Sequence, residues 1–480
     1  MKKLRIKNNS RISPSIEGGG WEAYKFSPSI GGGGGEATGN LTQGIVWKTI
    51  LAFVFPLLIG NLLQQMYNLA DSVIVGHFIG KEALAAISAS FFIYYFIISL
   101  VIGVGSGITV VIAHYYGAKQ YNNVQAAFSS FMIFTLLIGL LLSVAGVIFS
   151  ESLFRLIRTP DDVIPGAVRY FRIYAGGTFV FIALNSLLSV SRGMGDSMHP
   201  MLLILITALL NVVLDILFII VFHWDIEGVA MATVIAQTAG VVVSLIYLNK
   251  RHPILSLKRK DIRFERSLFV RGMRIGLPTS VQHCSLAIGL LVLLSVVNLF
   301  GTDTLTAYGA AGKIDSLITQ VMITLSSALA AFCGQNIGAG AMARVHQSVR
   351  FAMVINASFW AIIFLMICFF GHWMMMIFTP DETVIAIGHD YLLIVGATFL
   401  LHGAMNIMNG AMRGAGDTLF AMITGIIAFW LIRLPLAYYL SERIGYRGIW
   451  WSISISITIG FIATCLYYLS GRWKRRRVMS

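Results

Sequence analysis

An apolar stretch between residues 200 and 222 carries two polar side chains, Asn211 and Asp215. The length and hydrophobicity of this stretch predict a membrane-spanning helix. A spacing of four residues puts both side chains on one helix face, about 6 Å apart. An ionised aspartate deep in a membrane costs roughly 2.5–3.5 kcal/mol on insertion scales. Asp215 therefore either is protonated and stabilises the fold by a hydrogen bond to a neighbouring helix, or it carries a proton or a metal cation.

Two more oxygen-bearing side chains are predicted to reach the same depth. Asp71 follows Pro56 by 15 residues, and Asp215 follows Pro200 by the same number, which places both about 22 Å along outward-running helices. Thr233 comes a turn or two into the next helix, which runs back inward. Oxygen ligands suit a hard cation such as Na⁺, and two neighbouring carboxylates readily share one proton. We expect a site for Na⁺ or H⁺ formed by Asp71, Asn211, Asp215 and Thr233.

Composition places the whole chain in a membrane. Of the 480 residues, 57% are hydrophobic and only 12% are charged, and the mean hydropathy is +0.79. These values predict a polytopic membrane protein. The net charge of +14 does not indicate nucleic-acid binding, because the basic residues lie in loops and tails between apolar spans. The four cysteines show no CxxC spacing, so neither disulfides nor a zinc site is expected.

The apolar segments predict an all-α protein with twelve transmembrane helices. A disordered, glycine-rich basic segment at residues 1–43 precedes an N-lobe at 44–249, a basic linker at 250–267, a C-lobe at 268–470 and a basic tail at 471–480. The spans are predicted near residues 47–75, 86–112, 125–149, 164–190, 199–222, 227–249, 269–299, 305–333, 347–371, 384–410, 418–440 and 447–470.

The distribution of lysine and arginine predicts the orientation in the membrane. One set of loops, together with both termini and the 250–274 region, holds most of the basic residues. The opposite loops hold only Lys81, Arg155, Arg158, Arg443 and Arg447. Both termini and the central linker are therefore expected to be cytoplasmic.

An internal repeat divides the chain into two halves. The sequence Arg-Gly-Met-Gly-Asp at 192–196 recurs as Arg-Gly-Ala-Gly-Asp at 413–417, which is 221 residues later. Gly117-Ala118 recurs at the same offset as Gly338-Ala339. Each half holds six predicted spans, so the two halves enter the membrane from the same side. The repeats are therefore parallel, and a cleft is expected between them.

The polar residues of the second half differ from those of the first. At the 221-residue offset, Asn211 and Asp215 correspond to Ile432 and Leu436, so the cation site is expected in the N-lobe alone. Arg433 is interpreted as a snorkelling structural residue, and Lys313 and Asp315 as partners of each other or as cleft residues. The residues expected to line a substrate cleft are Gln64, Gln65, Tyr67, Asn68, Lys313, Asp315, His402 and Asn406.

The motifs together resemble the multidrug and toxic compound extrusion (MATE) transporters of the MOP superfamily. The resemblance rests on the twelve spans, the segment from Pro56 to Asn68, the following Ala-Asp-Ser, and the paired Arg-Gly-x-Gly-Asp loops, and it covers about residues 42–470. It implies that Asp71, Asn211, Asp215 and Thr233 match the cation site of the DinF-like branch, in which a proline at the position of Pro56 is associated with bending of the first helix. The NorM-like branch uses acids in the seventh and tenth spans, where this chain has Gln282, His283 and His402.

The resemblance implies a secondary active antiporter that exports amphipathic or cationic compounds in exchange for Na⁺ or H⁺. The expected location is a bacterial inner membrane, with no cofactor, no nucleic-acid partner and a monomeric state. A flippase for lipid-linked sugars remains the closer alternative. A remoter alternative is an intramembrane aspartyl protease, suggested by Gly-Met-Gly-Asp at 193–196, although Ala70 stands where the partner motif has tyrosine. No GxxxxGK[ST] segment indicates an ATP-driven pump.

Overall fold

The protein forms a bundle of long helices in a computed structural model that describes residues 40–79, 81–157, 159–252, 254–255 and 262–475. The predicted disordered segment therefore lies mostly outside the described residues. The helices of the first half are α1 (Val46–Phe78), α2 (Lys81–Gly117), α3 (Tyr121–Leu156), α4 (Ile164–Gly176), α5 (Thr178–Gly193), α6 (Met198–Ile216), which continues as a π-helical segment (Leu217–Val221), and α7 (Ile226–Arg251).

The second half repeats this order. Its helices are α8 (Arg266–Asn298), α9 (Gly301–Gly338), α10 (Met342–Met376), α11 (Glu382–Gly396), α12 (Phe399–Gly414), α13 (Leu419–Ile426), a π-helical segment (Ile427–Arg433), α14 (Leu434–Ile444), α15 (Tyr446–Leu469) and a short 3₁₀ turn (Arg472–Arg475).

The number of spans confirms the predicted polytopic fold. Ten helical segments in the described ranges are long and apolar enough to cross a membrane, and there are twelve when each of two bent pairs counts as one span. Large apolar side chains such as Leu137, Leu141 and Ile148 of α3 are exposed, as a surface that faces lipid requires. The protein is therefore a multi-pass membrane protein.

Two spans predicted as continuous helices are in fact sharply bent. The α4–α5 pair turns by 48° and the α11–α12 pair by 47°, at equivalent positions of the two halves. At the first bend the backbone of Gly177 packs so closely against Val234 of α7 that a Cβ would overlap its side chain. The absence of a proline at either bend explains why the hydrophobic pattern did not reveal it.

The end of the predicted disordered segment is packed rather than free. The backbone N–H of Leu41 donates to Gln335 Oε1 at 3.0 Å, and its carbonyl accepts from Asn336 Nδ2 at 3.1 Å. Arg344 donates to the carbonyl oxygens of Gln43 and Gly44 at 2.9 and 2.7 Å. Residues 40–43 are thus held by the C-lobe, because their backbone polar groups find partners there.

The first half of α1 also packs against the C-lobe, although the sequence assigns α1 to the N-lobe. Phe53 and Leu57 are buried in a cluster with Leu329 of α9, and Asn61 Nδ2 donates to Thr324 Oγ1 at 2.8 Å. Further along, Gly60 lets α1 approach the backbone of α6 at Met201. The helix therefore leaves the C-lobe and enters the N-lobe near Gly60.

The two lobes meet tightly at one end of the bundle, where the Arg-Gly-x-Gly-Asp loops lie. At Gly107 of α2, a Cβ would overlap the carbonyl of Gly272 in α8, and at Gly103 it would overlap Gly276. Only glycine allows the helix backbones to come this close. We refer to this region as the lobe seam.

Two equivalent hydrogen bonds cross the lobe seam. His114 Nε2 donates to the carbonyl of Gly414 at 2.6 Å, and Gln335 Nε2 donates to the carbonyl of Gly193 at 2.9 Å. Residues 114 and 335 are 221 positions apart, as are 193 and 414. The repeat thus builds the same bond twice, once from each lobe, and the acceptor each time is the first glycine of the Arg-Gly-x-Gly-Asp motif.

The aspartate of each motif fixes its loop. Asp196 Oδ1 accepts from the His199 backbone N–H at 3.1 Å and Oδ2 accepts from Tyr247 Oη at 2.9 Å, while the His199 ring stacks on Tyr247. Asp417 accepts from Tyr467 Oη at 2.6 Å. Burial alone would raise the pKa of Asp196, but hydrogen bonds from His252, the His199 N–H and Tyr247 lower it below its usual value. These loops are therefore structural elements.

Substitution at the lobe seam is predicted to destabilise the fold selectively. Gly107→Ala should lower the free energy of unfolding by about 1–3 kcal/mol, because the added methyl group has no space against Gly272. Gly309→Ala is the matched control, since a Cβ there meets nothing within 4 Å. Thermal unfolding of the detergent-purified proteins measures the difference. Equal melting temperatures for the two variants would contradict the close approach.

Replacement of Asp196 by asparagine should lower abundance more than transport per molecule. The expected loss of stability is about 1–3 kcal/mol near pH 7, because the hydrogen-bonded carboxylate is lost. Since the folded pKa is lowered, its contribution is present above the ordinary value of about 3.9 and is lost as the pH falls below it. The stability gap between wild type and variant, measured by unfolding between pH 7 and pH 3, should narrow with acid. An abundant but inactive Asp196→Asn protein would contradict the structural role.

Candidate cation-binding site

Two carboxyl groups from different helices meet inside the N-lobe. Asp71 lies on the last third of α1 and Asp215 near the end of α6, and their side chains are in hydrogen-bonding contact. A hydrogen bond between two carboxyl groups requires a proton on one of them. Asp215 has no exposed surface, and among the described residues Oδ1 of each aspartate lacks a hydrogen-bond partner. The pair thus offers buried oxygens that a proton or a cation could satisfy.

Asn211 and Thr233 complete the oxygen-rich pocket. Asn211 precedes Asp215 by one helical turn, and its amide nitrogen donates to Asp215 Oδ2 at 3.0 Å. The amide oxygen then accepts from the backbone N–H of Thr233 at 3.1 Å, whereas the reverse orientation would set acceptors against each other. Thr233 Oγ1 donates to the Val229 carbonyl at 3.1 Å and keeps lone pairs for the pocket. All four residues expected to form the cation site are therefore brought together.

A wall of tyrosines closes the pocket, and only one of them was anticipated. Tyr67 lies one turn before Asp71, and its hydroxyl contacts that of Thr233. Tyr170 and Tyr174 stack on α4 with ring centroids 5.6 Å apart, and Tyr94 of α2 meets Tyr174 edge-on at 4.4 Å. The spacing of Tyr170 and Tyr174 by four residues was a usable signal for one polar helix face. These rings exclude water while their hydroxyl groups add oxygen donors.

A local change of helix type follows directly after Asp215. Residues Leu217–Val221 are π-helical, so the backbone is wider there than in α6. The wider turn leaves Phe218 buried, stacked against Trp224 in the connection to α7. This arrangement fixes the end of α6 and therefore the position of Asp215 relative to Thr233.

The predicted cleft residues on α1 take different positions. Gln64 and Gln65 are exposed, and Tyr67 is half-buried beside the carboxyl pair. The side chain of Asn68 lies outside the described part of the chain. Of this group, Tyr67 is the residue that the structure joins to the candidate site.

Of the two interpretations of Lys313 and Asp315, the pairing of the two side chains with each other is wrong, and their place in a substrate cleft stays a prediction. Residues two apart on a helix point to different sides, so these side chains diverge. Asp315 instead accepts from Tyr391 Oη at 2.8 Å and from Thr319 Oγ1 at 2.9 Å. Lys313 is exposed, with its ammonium group 5.6 Å from the centroid of the Phe378 ring.

The remaining polar residues of the C-lobe lie close together. His402 is half-buried and interacts electrostatically with Asp315 and Arg433. Asn406 Nδ2 donates to the His402 carbonyl at 3.0 Å. Arg433 does not snorkel to the membrane surface as expected, because its Nε donates to Ser456 of α15 at 2.8 Å inside the lobe.

The fold and the buried carboxyl pocket define a membrane protein of two repeated six-span halves with an ionisable site in one of them. The MatE family model matches residues 56–217 and 278–439, one match in each half. The chain belongs to the MatE family and is a membrane transporter rather than an enzyme. Its assignment to the DinF-like branch stays a prediction.

Similar proteins cover nearly the whole chain. The probable multidrug resistance protein YoeA of Bacillus subtilis is 30% identical over 92% of this chain and 97% of that protein. The probable multidrug resistance protein YpnP of the same organism is 29% identical, with coverages of 92% and 99%. A solved MOP superfamily transporter from Pyrococcus furiosus shares the fold with a TM-score of 0.83 and 24% identity, covering 90% of this chain and 96% of that one.

Proposed function

We propose that this protein is an antiporter that exports amphipathic, cationic compounds while Na⁺ or H⁺ enters at the Asp71–Asp215 pair. The observation that carries the proposal is this buried pair of carboxyl groups in contact, with an unpartnered oxygen on each. The names of the relatives, probable multidrug resistance proteins, support the export of drugs. The distribution of lysine and arginine supports cytoplasmic termini, and the bacterial relatives support a location in a bacterial inner membrane.

Coupling requires that the cation and the drug favour different conformations. In the conformation described, the lobe seam is closed by the two equivalent bonds from His114 and Gln335. If the loop end faces the cytoplasm, as the basic residues predict, this closed state must open before a compound can enter from that side. The transport cycle then alternates between breaking the seam and opening the opposite end of the cleft.

The helix α1 offers a route from cation binding to movement. Its first half is anchored to α9 through Phe53, Leu57 and Asn61, and its far end carries Asp71. Pro56 lies inside this helix and leaves the Ala52 carbonyl without its helical partner. A cation or proton that changes the contacts of Asp71 would therefore act on a helix with a weak point near its anchored half.

Loss of either buried carboxylate should abolish coupled export. Asp71→Asn and Asp215→Asn retain side-chain shape but lose the charge that balances the cation, and we expect at least a tenfold drop in efflux, equivalent to about 1.4 kcal/mol. Dye efflux from proteoliposomes under an imposed Na⁺ gradient, and separately under a pH gradient, measures the effect and identifies the coupling ion. Asp303→Asn is the control, because Asp303 is exposed in the first turn of α9. Near-normal efflux in both site variants would refute the proposal.

Replacement of Pro56 should separate cation binding from transport. Pro56→Ala restores a backbone donor for the Ala52 carbonyl and stiffens α1, so cation affinity should stay within about twofold while efflux falls several-fold. Pro165→Ala is the matched control, since Pro165 lies in the first turn of α4, where no helical bond is missing. Cation titration and dye efflux are measured on the same purified protein. Unimpaired efflux in Pro56→Ala would show that the proline is a static feature.

A further inference from the structure

The C-lobe contains a polar pocket at the position equivalent to the N-lobe cation pocket. Tyr94 and Tyr170 of the N-lobe pocket correspond, 221 residues later, to Asp315 and Tyr391. Asp315 and Tyr391 are hydrogen-bonded to each other. The same internal face of each lobe is therefore polar, but different residue types occupy it.

The negative charge in this pocket is already satisfied by neutral donors. Asp315 accepts one hydrogen bond from Tyr391 at Oδ2 and one from Thr319 at Oδ1. Tyr391 is fully buried against Trp450, with ring centroids 4.9 Å apart, so this contact is rigid. Both carboxylate oxygens of Asp315 therefore have uncharged hydrogen-bond partners, and among the described residues Asp315 forms no ion pair with Arg433.

Arg433 is the charged group of the pocket that has free hydrogen-bonding capacity. Its Nε donates to Ser456 Oγ at 2.8 Å, and its guanidinium carbon lies 4.6 Å from the centroid of the Phe429 ring. These two contacts fix the plane of the group. Within the described part of the chain, its terminal nitrogens have no protein acceptor, and the side chain is only half-buried, so the nitrogens remain open to a ligand.

The backbone presents Arg433 in an unusual way. It is the last residue of the π-helical segment Ile427–Arg433, and Pro435 follows two residues later. The N-lobe has its own π-helical segment directly after Asp215, on the equivalent span. Such segments occur often at functional sites, and here each lies beside the ionisable residue of its lobe. Arg433 is within electrostatic range of Asp315 but forms no ion pair with it, and an ionisable residue inside a membrane span is costly and marks a candidate functional position.

We propose that Arg433 is the centre of a second, C-lobe binding pocket that takes a carboxylate or phosphate group of a transported molecule. The planar guanidinium can donate two parallel hydrogen bonds to such a group. This inference rests on the proposed export function and names a substrate class for it. The cleft would then accept amphipathic compounds with an anionic group, including zwitterions, as well as cations.

A pair of dyes that differ in one carboxyl group tests the pocket. Rhodamine 110 carries a free carboxylate, and its methyl ester, rhodamine 123, does not. Binding to the purified full-length protein is measured by fluorescence anisotropy at fixed pH. Wild type should bind both dyes, Arg433→Gln should weaken rhodamine 110 by about tenfold or more, and rhodamine 123 should change by less than about twofold. Arg433→Lys should give an intermediate loss, because the charge remains but the planar fork does not.

Two further variants keep the test decisive. Arg443→Gln is the matched control, since Arg443 lies on the same span with its guanidinium over the exposed Tyr439 ring, and it should change neither affinity. If Arg433→Gln does not fold, Ser456→Ala removes only the hydroxyl that fixes Nε and should weaken rhodamine 110 selectively by about threefold. Equal losses for both dyes, no loss in any variant, or a wild type that does not bind rhodamine 110 would overturn the proposal.

The two proposals fail in different measurements. Equilibrium binding of rhodamine 110 needs no ion gradient, so it reports on the Arg433 pocket alone. Gradient-driven efflux of rhodamine 123 depends on the Asp71–Asp215 pair, so it reports on antiport, and it should survive in the control variant Arg443→Gln. If the wild-type protein shows no gradient-driven efflux but its binding of rhodamine 110 still depends selectively on Arg433, antiport is refuted and the proposal of the Arg433 pocket is supported.

Discussion

Two carboxyl groups held in contact inside a membrane protein constrain everything around them, because both cannot be charged without a cation between them. Asp71 comes from α1 and Asp215 from α6, so the balance of charge at this point decides how strongly the two helices attract. Asn211 donates to Asp215 Oδ2 and is itself held by Thr233, while the tyrosine rings pack beside the pair. A change of one proton or one cation therefore changes helix contacts directly.

The helix α1 transmits such a change because it belongs to both lobes. Its first half is buried against α9 of the C-lobe, and its last third carries Asp71 into the N-lobe. The close approach of Gly60 to α6 lies between these two regions. Movement at Asp71 must therefore either bend α1 or shift one lobe against the other, and the lobe seam resists the second option while its two cross-lobe bonds remain intact.

The sequence was sufficient for the four oxygen-bearing residues, because helical spacing and depth depend only on position along each helix. The sequence alone could not predict side-chain partners or helix bends that depend on which helices contact each other. Lys313 and Asp315 looked like a pair because both are charged, yet Tyr391 from a distant helix takes the carboxylate. The bends at α4–α5 and α11–α12 occur without a proline, at Gly176-Gly177 and after Gly396, and Gly177 also packs closely against α7. The repeat contained an unused signal, since the 221-residue offset already linked His114 with Gln335.

The two halves share the hydrogen bonds of the lobe seam but differ in the residues of their pockets, and this difference has a structural reason. Each seam bond requires only a side-chain N–H that reaches the facing glycine carbonyl, so His114 and Gln335 can differ in type. The pockets face no such requirement, because each binds its ligand within its own lobe. A cation at Asp71–Asp215 and an anionic group at Arg433 would therefore act on opposite lobes. Two ligands on opposite lobes can favour different positions of the lobes around one seam, which is the condition that coupled transport requires.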